Sequence, residues 1–260
     1  MNAIITGAGR NTGIGAQICR SFAEKGINLY FTTYDKYDLE VCNISQRDYE
    51  LTIAECQKAG INVFFGIHDL STTIGVKSLF DDATSNLGNI DILVNCLCYH
   101  SLDTFGQIEA ETLSKNLNVN AKAVFLLCQE FYLRFSGNEG SIVNLSSTQN
   151  MEPLSHEISY ALSKATVPVL VNTLAQEMAR KNININAVNP GATEIGDKRD
   201  TNLEYYKMAN PFGRVGCPID VANIVLFLVS HEGHWITGQT INSEGGICRG
   251  IQITPQQRIF

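Results

Sequence analysis

Short runs of apolar and β-branched residues alternate along the chain with longer stretches whose apolar positions recur every three or four residues. The runs at 2–6, 28–33, 62–67, 91–97, 140–146, 183–188 and 238–242 are bounded by Gly, Asn, Pro or polar residues and read as strands. Several are apolar throughout, the pattern of strands covered on both faces. Helical periodicity runs through 14–25, 46–59, 72–87, 109–135, 157–180 and 218–230. In the first of these, Ile14, Ile18 and Phe22 make one apolar stripe. A β–α alternation sustained this far predicts an α/β chain: a Rossmann-like, doubly wound, seven-stranded parallel sheet with helices on both faces. No Pro- or Ser-rich linker and no internal repeat divides it, so 1–260 reads as a single domain. The stretch 193–213 breaks the alternation. It is long and polar with embedded aromatics, and reads equally as a substrate lid or as a surface loop with a short helix.

Composition narrows the class. The chain has 260 residues, 44% hydrophobic and 17% charged, which is enough apolar material for a substantial core. Its formal net charge of -7 argues against a nucleic-acid partner, which needs basic surface, and against a large patch for an acidic carrier protein. No signal peptide is visible, and the longest apolar runs, such as "IVLFLV" at 224–229, are too short to span a bilayer. No membrane partner is expected. Eight cysteines without zinc-like CxxC pairs read as reduced thiols, and a cytoplasmic enzyme is the simplest class.

The first strand, "AIIT", runs straight into "GAGRNTGIG" and then into the first helical stripe. Glycines let backbone N–H groups approach a pyrophosphate, and the helix start adds partial positive charge. Strand, glycine turn and helix in this order predict a dinucleotide site drawn from Gly7, Arg10, Asn11, Gly13, Ile14 and Gly15. In NAD sites an acidic residue stands about 20 residues further on. Here the second strand ends at Thr33 and Tyr34, with Asp35 just beyond its tip. The missing carboxylate leaves room for a 2′-phosphate that Arg10 would pair with. NADP is therefore the expected cofactor, with NAD as the other possibility.

"SYALSKAT" puts Tyr160 and Lys164 four apart on a helical pattern, on one face and a turn apart. An ammonium beside a phenol favours the phenolate, lowering the tyrosine from its reference near 10 and yielding an acid/base usable near neutrality. Thirteen residues upstream of the tyrosine, "IVNLSS" closes a strand with Ser146 and Ser147.

With these residues in place the sequence resembles the short-chain dehydrogenase/reductase family, the branch with Tyr-x-x-x-Lys, over nearly its full length. The likeness runs in order through "TGAGRNTGIG", "HDLS", "DILVN", "NVNAKAVF", "GSIVNLSS", "YALSK", "NAVNPGAT", "GRVGCPIDVANIVLFLVS" and "ITGQTINSEGG". The last two look most like bacterial 3-oxoacyl-carrier-protein reductases. The resemblance implies Tyr160 as proton donor to a carbonyl and Lys164 at the nicotinamide ribose. Ser147, rather than Ser146, would hydrogen-bond the substrate oxygen, and Asn120 would hold a water linking the lysine to solvent. It further implies Asp69 and Leu70 at the adenine, Asn95 beside the cofactor, and Pro190, Gly191 and Thr193 beside the nicotinamide amide. A small carbonyl or alcohol substrate, no metal, and a homotetramer or homodimer follow from it. Within the family the alternative is a sugar or polyol dehydrogenase; outside catalysis, a nucleotide-binding redox sensor on the same fold.

Four features depart from the family pattern. The glycine loop is longer by two residues. Pro168 lies four residues after Lys164 inside the helical pattern, and having no N–H to bond the Lys164 carbonyl it predicts a local kink or a water there. Where the family reads Asn-Asn-Ala-Gly this chain has Asn95, Cys96, Leu97 and Cys98, followed by His100. Cys96, Cys98 and His100 would share one side of an extended strand. Two thiols and one imidazole are too few for a metal, so the cysteines read best as small buried hydrophobes. His100 reads either as a border of the substrate site or as a loop cap. Lastly, "YDKYDLEVCNISQRD" after the second strand is an elongated polar segment, read as a surface loop.

Overall fold

The computed structural model describes residues 1–34, 36–37, 39, 47–147, 155–196 and 203–247. Seven strands form one parallel sheet in the order β3-β2-β1-β4-β5-β6-β7. They are β1 Asn2–Thr6, β2 Asn28–Thr33, β3 Val63–Ile67, β4 Ile92–Asn95, β5 Gly140–Leu145, β6 Ile183–Asn189 and β7 Thr240–Asn242. Every residue of β4, β5 and β6 is buried, whereas the edge strand β3 is partly exposed. That contrast follows from helices covering both faces of the inner strands, whose polar residues Ser141, Asn144, Asn184 and Asn186 are buried as well.

The helices are α1 Ile14–Glu24, α2 Tyr49–Gln57, α3 Thr73–Leu87, α4 Ala110–Leu117, α5 Val124–Arg134, α6 Ile158–Lys164, α7 Thr166–Ala179, α8 Leu203–Ala209 and α9 Pro218–Leu228. Alternate strand residues sort into two cores, one on each side of the sheet. Ile5, Phe31, Val94, Val143 and Val188 meet Ile18 and Phe22 of α1 and Val225 of α9. Ile4, Tyr30, Leu93, Ile142 and Ile185 meet Leu79 of α3, Leu127 of α5 and Val171 of α7. The period-2 side-chain alternation of a strand makes this division unavoidable once both faces are covered.

Three elements differ from the sequence reading. The apolar pattern at 109–135 is not one helix: α4 and α5 are joined by a π-helical turn, Asn118–Ala123. The pattern at 157–180 breaks at Ala165 between α6 and α7. Pro168 has no N–H to donate to the Lys164 carbonyl, so the interruption falls beside the position the proline marks. And β4 stops at Asn95, not at residue 97. The Thr6 hydroxyl accepts from the N–H groups of both Cys96 and Leu97 (3.2 and 3.3 Å), drawing the chain out of the sheet there. The elongated segment after β2 and the tail beyond Ile247 lie mostly or wholly outside the described residues.

Strand order reverses between β1 and β4, and loops leaving their carboxyl ends diverge to opposite faces, opening a crevice. Everything functional in the next section lies along that edge.

Candidate active site

A cleft of about 410 Å³ runs across the carboxyl ends of β3, β2, β1 and β4. Its lining includes Gly7, Gly9 and Arg10 after β1, Thr33, Tyr34 and Lys36 at the end of β2, His68, Asp69 and Leu70 after β3, and Cys96, Leu97 and Cys98 after β4.

The glycine turn is built by close approach. Gly7 has φ +70°, and a Cβ there would lie 2.7 Å from the Leu97 Cα. At Gly15 a Cβ would lie 2.6 Å from the Gly7 carbonyl oxygen, so only glycine lets α1 start this close to the end of β1. Gly13 caps α1 without a side-chain bond of its own, and the Cys96 thiol meets the Gly15 N–H in the first turn. Ile14 opens the helix and packs on the first core. This is a cradle that side chains would fill, beside a helix start whose donors suit an anion. The residues present fit a nicotinamide dinucleotide.

Two residues of the lengthened loop, Asn11 and Thr12, are tied to neighbouring segments. The Thr12 hydroxyl donates to the Ile195 carbonyl (2.7 Å), fastening the loop to the start of the 193–213 stretch. The Asn11 N–H donates to the Asp48 carboxylate (2.6 Å), and its side-chain oxygen accepts from Arg20 and from Thr52 (3.0 Å). The Asn11 side chain is therefore turned toward α1 and α2, not into the cleft. Asn95 departs likewise: its amide is buried and donates to Asn144 of β5 (2.8 Å). Leu97, bulkier than the alanine of the family pattern, sinks into the second core and still borders the cleft.

At the β3 end, the Asp69 carboxylate accepts from the N–H (3.0 Å) and hydroxyl (2.6 Å) of Ser71, forming the turn into α3, while Leu70 is buried. His68 is closed in: its ring nitrogens face the Tyr30 hydroxyl (3.2 Å) and Ser78 (3.0 Å). Beyond β6, Gly191 takes φ +63°, and its N–H donates to Asn189 (3.1 Å). The Thr193 hydroxyl donates to the Pro190 carbonyl (2.9 Å), so this turn is held by its own side chains.

Tyr160 and Lys164 stand on α6. Lys164 is 4% exposed, and its ammonium donates to the Leu145 carbonyl (2.9 Å) at the end of β5. Tyr160 is within hydrogen-bonding range of Ser147 and Cys98. Burial pushes its phenol well above 10; the Cys98 thiol and the Glu157 carboxylate act in the same direction, and Ser147 opposes them. The sequence reading expected the reverse, a phenol lowered by Lys164. Desolvation of the buried phenol is the largest influence and sets that direction. Burial also lifts the Cys96 thiol to about 12, with Lys164 and Arg10 pulling the other way. Both cysteines are free, and no cluster of ligands suited to a metal occurs among the described residues.

Asn120 sits in the π turn, fully buried. Its side-chain oxygen accepts from the Tyr99 N–H (2.8 Å), and its amide donates to the Tyr99 carbonyl (2.7 Å) and the Ser163 hydroxyl (2.9 Å). Ser163 in turn donates to the Tyr160 carbonyl (2.7 Å). One asparagine thus ties the segment after β4 to the helix that carries Tyr160.

Three groups at the site escaped the sequence reading. Cys98, taken there as a buried filler, touches the Tyr160 hydroxyl. Lys36 lines the cleft three residues past Thr33, a position a count from the strand tip would have flagged. Glu157 bears on the phenol but belongs to no spacing motif.

Comparison with known proteins bears on the family and the fold. A family model described as enoyl-(acyl carrier protein) reductase matches residues 7–248. An uncharacterized oxidoreductase, YjdA of Bacillus subtilis (strain 168), is 34% identical over 251 residues, covering 95% of this chain and 97% of that protein. An acetoacetyl-CoA reductase of an Acinetobacter species is 28% identical, covering 94% and 96%. Among solved structures, 7α-hydroxysteroid dehydrogenase complexed with NADH and 7-oxo glycochenodeoxycholic acid has a TM-score of 0.84 at 28% identity, covering 94% and 93%. The fold and the site define a nicotinamide-dependent oxidoreductase. The chain belongs to the short-chain dehydrogenase/reductase family.

Proposed function

We propose that the protein is an NADP-preferring carbonyl reductase whose chemistry is that of a 3-oxoacyl reductase, with Tyr160 as proton donor. The observation that carries this is the meeting of Tyr160, Ser147 and the buried Lys164 at the carboxyl ends of β4 and β5, beside the glycine cradle. When bound, the dihydronicotinamide supplies hydride to the carbonyl carbon. Ser147 and Tyr160 hold the carbonyl oxygen. Tyr160, kept protonated by burial, delivers its proton to that oxygen as negative charge develops there. Lys164, held by the Leu145 carbonyl, offers its remaining N–H donors to the cofactor ribose. Tyr160 and Lys164 lie four apart, the ketoreductase spacing, whereas enoyl reductases of this superfamily have seven.

The NADP preference is supported by Arg10 and Lys36, two cations lining the cleft with Thr33 and Tyr34. Asp35 lies outside the described residues. The acetoacetyl-CoA reductase relative supports a 3-oxoacyl thioester as substrate class. Exposed Phe125 of α5 and Leu162 and Val169 of α6 and α7 support a homotetramer or homodimer. Among the described residues no helix is long and apolar enough to cross a membrane.

The test follows NADPH absorbance with a panel of ketones, 3-oxoacyl thioesters and sugars. Thioester reduction that collapses in Tyr160→Phe is expected. Reduction at a near wild-type rate in that variant refutes the assignment of the acid, and a sugar-only profile refutes the substrate class.

A further inference from the structure

Tyr160 does not face Ser147 alone. The His100 ring meets the Tyr160 ring edge-on, with centroids 4.9 Å apart and planes at 79°. The same imidazole presents Nε2 to the Glu157 carboxylate at 3.3 Å. Both partners are only partly exposed, 31% for His100 and 22% for Glu157, so water does not fully screen the pair.

The arrangement is fixed by bonds that do not depend on the ion pair. The His100 N–H donates to the Tyr37 hydroxyl (3.0 Å). The preceding residue, Tyr99, is held at both its N–H and its carbonyl by Asn120. On the far side, the Asp103 N–H donates to the His156 carbonyl (2.8 Å), and the Asp103 carboxylate accepts from the Ser159 N–H at 3.2 Å. The segment after β4 is thereby laced to the residues that open α6, with His100 and Glu157 facing each other across the seam.

We propose that the Glu157 carboxylate holds Tyr160 in its proton-bearing form and that the His100 imidazole facing that carboxylate tempers the hold, together setting the balance between carbonyl reduction and alcohol oxidation. The inference rests on the reading of Tyr160 as proton donor. Both act through another residue, so they are positioning residues. The Glu157 carboxylate disfavours a phenolate three residues away, while His100 donates to that carboxylate and limits its effect. The Glu157 contribution to Tyr160 has the sign this requires. Among the described residues, the other titratable groups around the pair are Cys98 on the segment leading to His100, Tyr37 after β2, Asp103, and His156 beside Glu157. Asp103 is engaged with the start of α6, and Lys164 with the Leu145 carbonyl.

The experiment reads phenolate directly. Full-length protein saturated with NADP⁺ is held near pH 10, below the onset of unfolding by circular dichroism. Phenolate absorbance is then compared between each protein and its Tyr160→Phe counterpart, which isolates residue 160 from the other tyrosines. Glu157→Gln is expected to lower the Tyr160 pKa and give severalfold more phenolate than wild type at the same pH. His100→Phe, which keeps a ring against Tyr160, is expected to give less phenolate than wild type. The double variant is expected to match Glu157→Gln, because His100 then has no charge to moderate. No increase in Glu157→Gln, or a His100→Phe effect that persists without Glu157, overturns the proposal. The readout needs no carbonyl substrate. A protein that shows the predicted phenolate pattern but turns over nothing in the panel fails the functional reading alone, and normal turnover with unmoved phenolate fails this inference alone.

Discussion

Replacing Asn120 by alanine removes three well-formed hydrogen bonds at one stroke. The Tyr99 N–H, the Tyr99 carbonyl and the Ser163 hydroxyl all lose their partner at 2.8, 2.7 and 2.9 Å. Asn120 is fully buried, so its partners cannot simply turn to bulk water. At about 0.5–1.5 kcal/mol net for each bond, the loss is about 3 kcal/mol. For a domain of this size that lowers Tm by roughly 6–12 °C. The effect also has a direction. Tyr99 leads into His100, and Ser163 holds the Tyr160 carbonyl, so loosening Asn120 blurs the contact between the two sides of the site. kcat is therefore expected to fall more than the cofactor KM rises. Asn120→Asp sharpens the argument. It keeps the acceptor for the Tyr99 N–H but sets carboxylate oxygens against the Tyr99 carbonyl and the Ser163 hydroxyl, and is expected to destabilise at least as much as alanine. Urea denaturation followed by circular dichroism checks both. A loss under about 1 kcal/mol in Asn120→Ala, with kcat unchanged, would refute the claim that this residue laces the site together.

Other expectations follow from single observations. Gly15→Ala forces a Cβ to 2.6 Å from the Gly7 carbonyl oxygen, separating α1 from β1; a stability loss of about 1–3 kcal/mol with a raised cofactor KM is expected in denaturation and steady-state assays. Arg10→Ala is expected to cut kcat/KM for NADPH roughly 10–100-fold, the worth of a charge-assisted bond, while leaving NADH nearly unaffected; equal losses with both cofactors would place Arg10 on the pyrophosphate instead. Burial lowers the His68 pKa below its ordinary 6.5, against the pull of the Asp82 carboxylate. The unfolded chain then binds a proton the native ring refuses, so stability is full above roughly pH 6.5 and declines as pH falls below it; His68→Gln should flatten that slope in urea titrations across the range.

The sequence by itself determined the architecture and the chemical inventory. The apolar run of Ile92, Leu93 and Val94 in β4 announced a strand buried on both faces, as the strands of a doubly covered parallel sheet are. Spacing put Tyr160 over Lys164, because a helix repeats near that interval, and Pro168 marked the break at Ala165 because it has no N–H to offer. These features are legible because each depends on neighbours within a turn or a strand. Tertiary structure decided the rest. Whether the Tyr160 phenol rises or falls depended first on how much water is excluded around it, which is not a matter of spacing. Asn11 and Asn95 sit at the sequence positions of ligands yet turn their amides to Arg20 and Asn144, partners 9 and 49 residues away. Glu157 and His100, 57 positions apart in the chain, meet only because the exit of β4 is stitched to the start of α6. Contacts of that kind are products of chain crossing in three dimensions, and no local pattern encodes them.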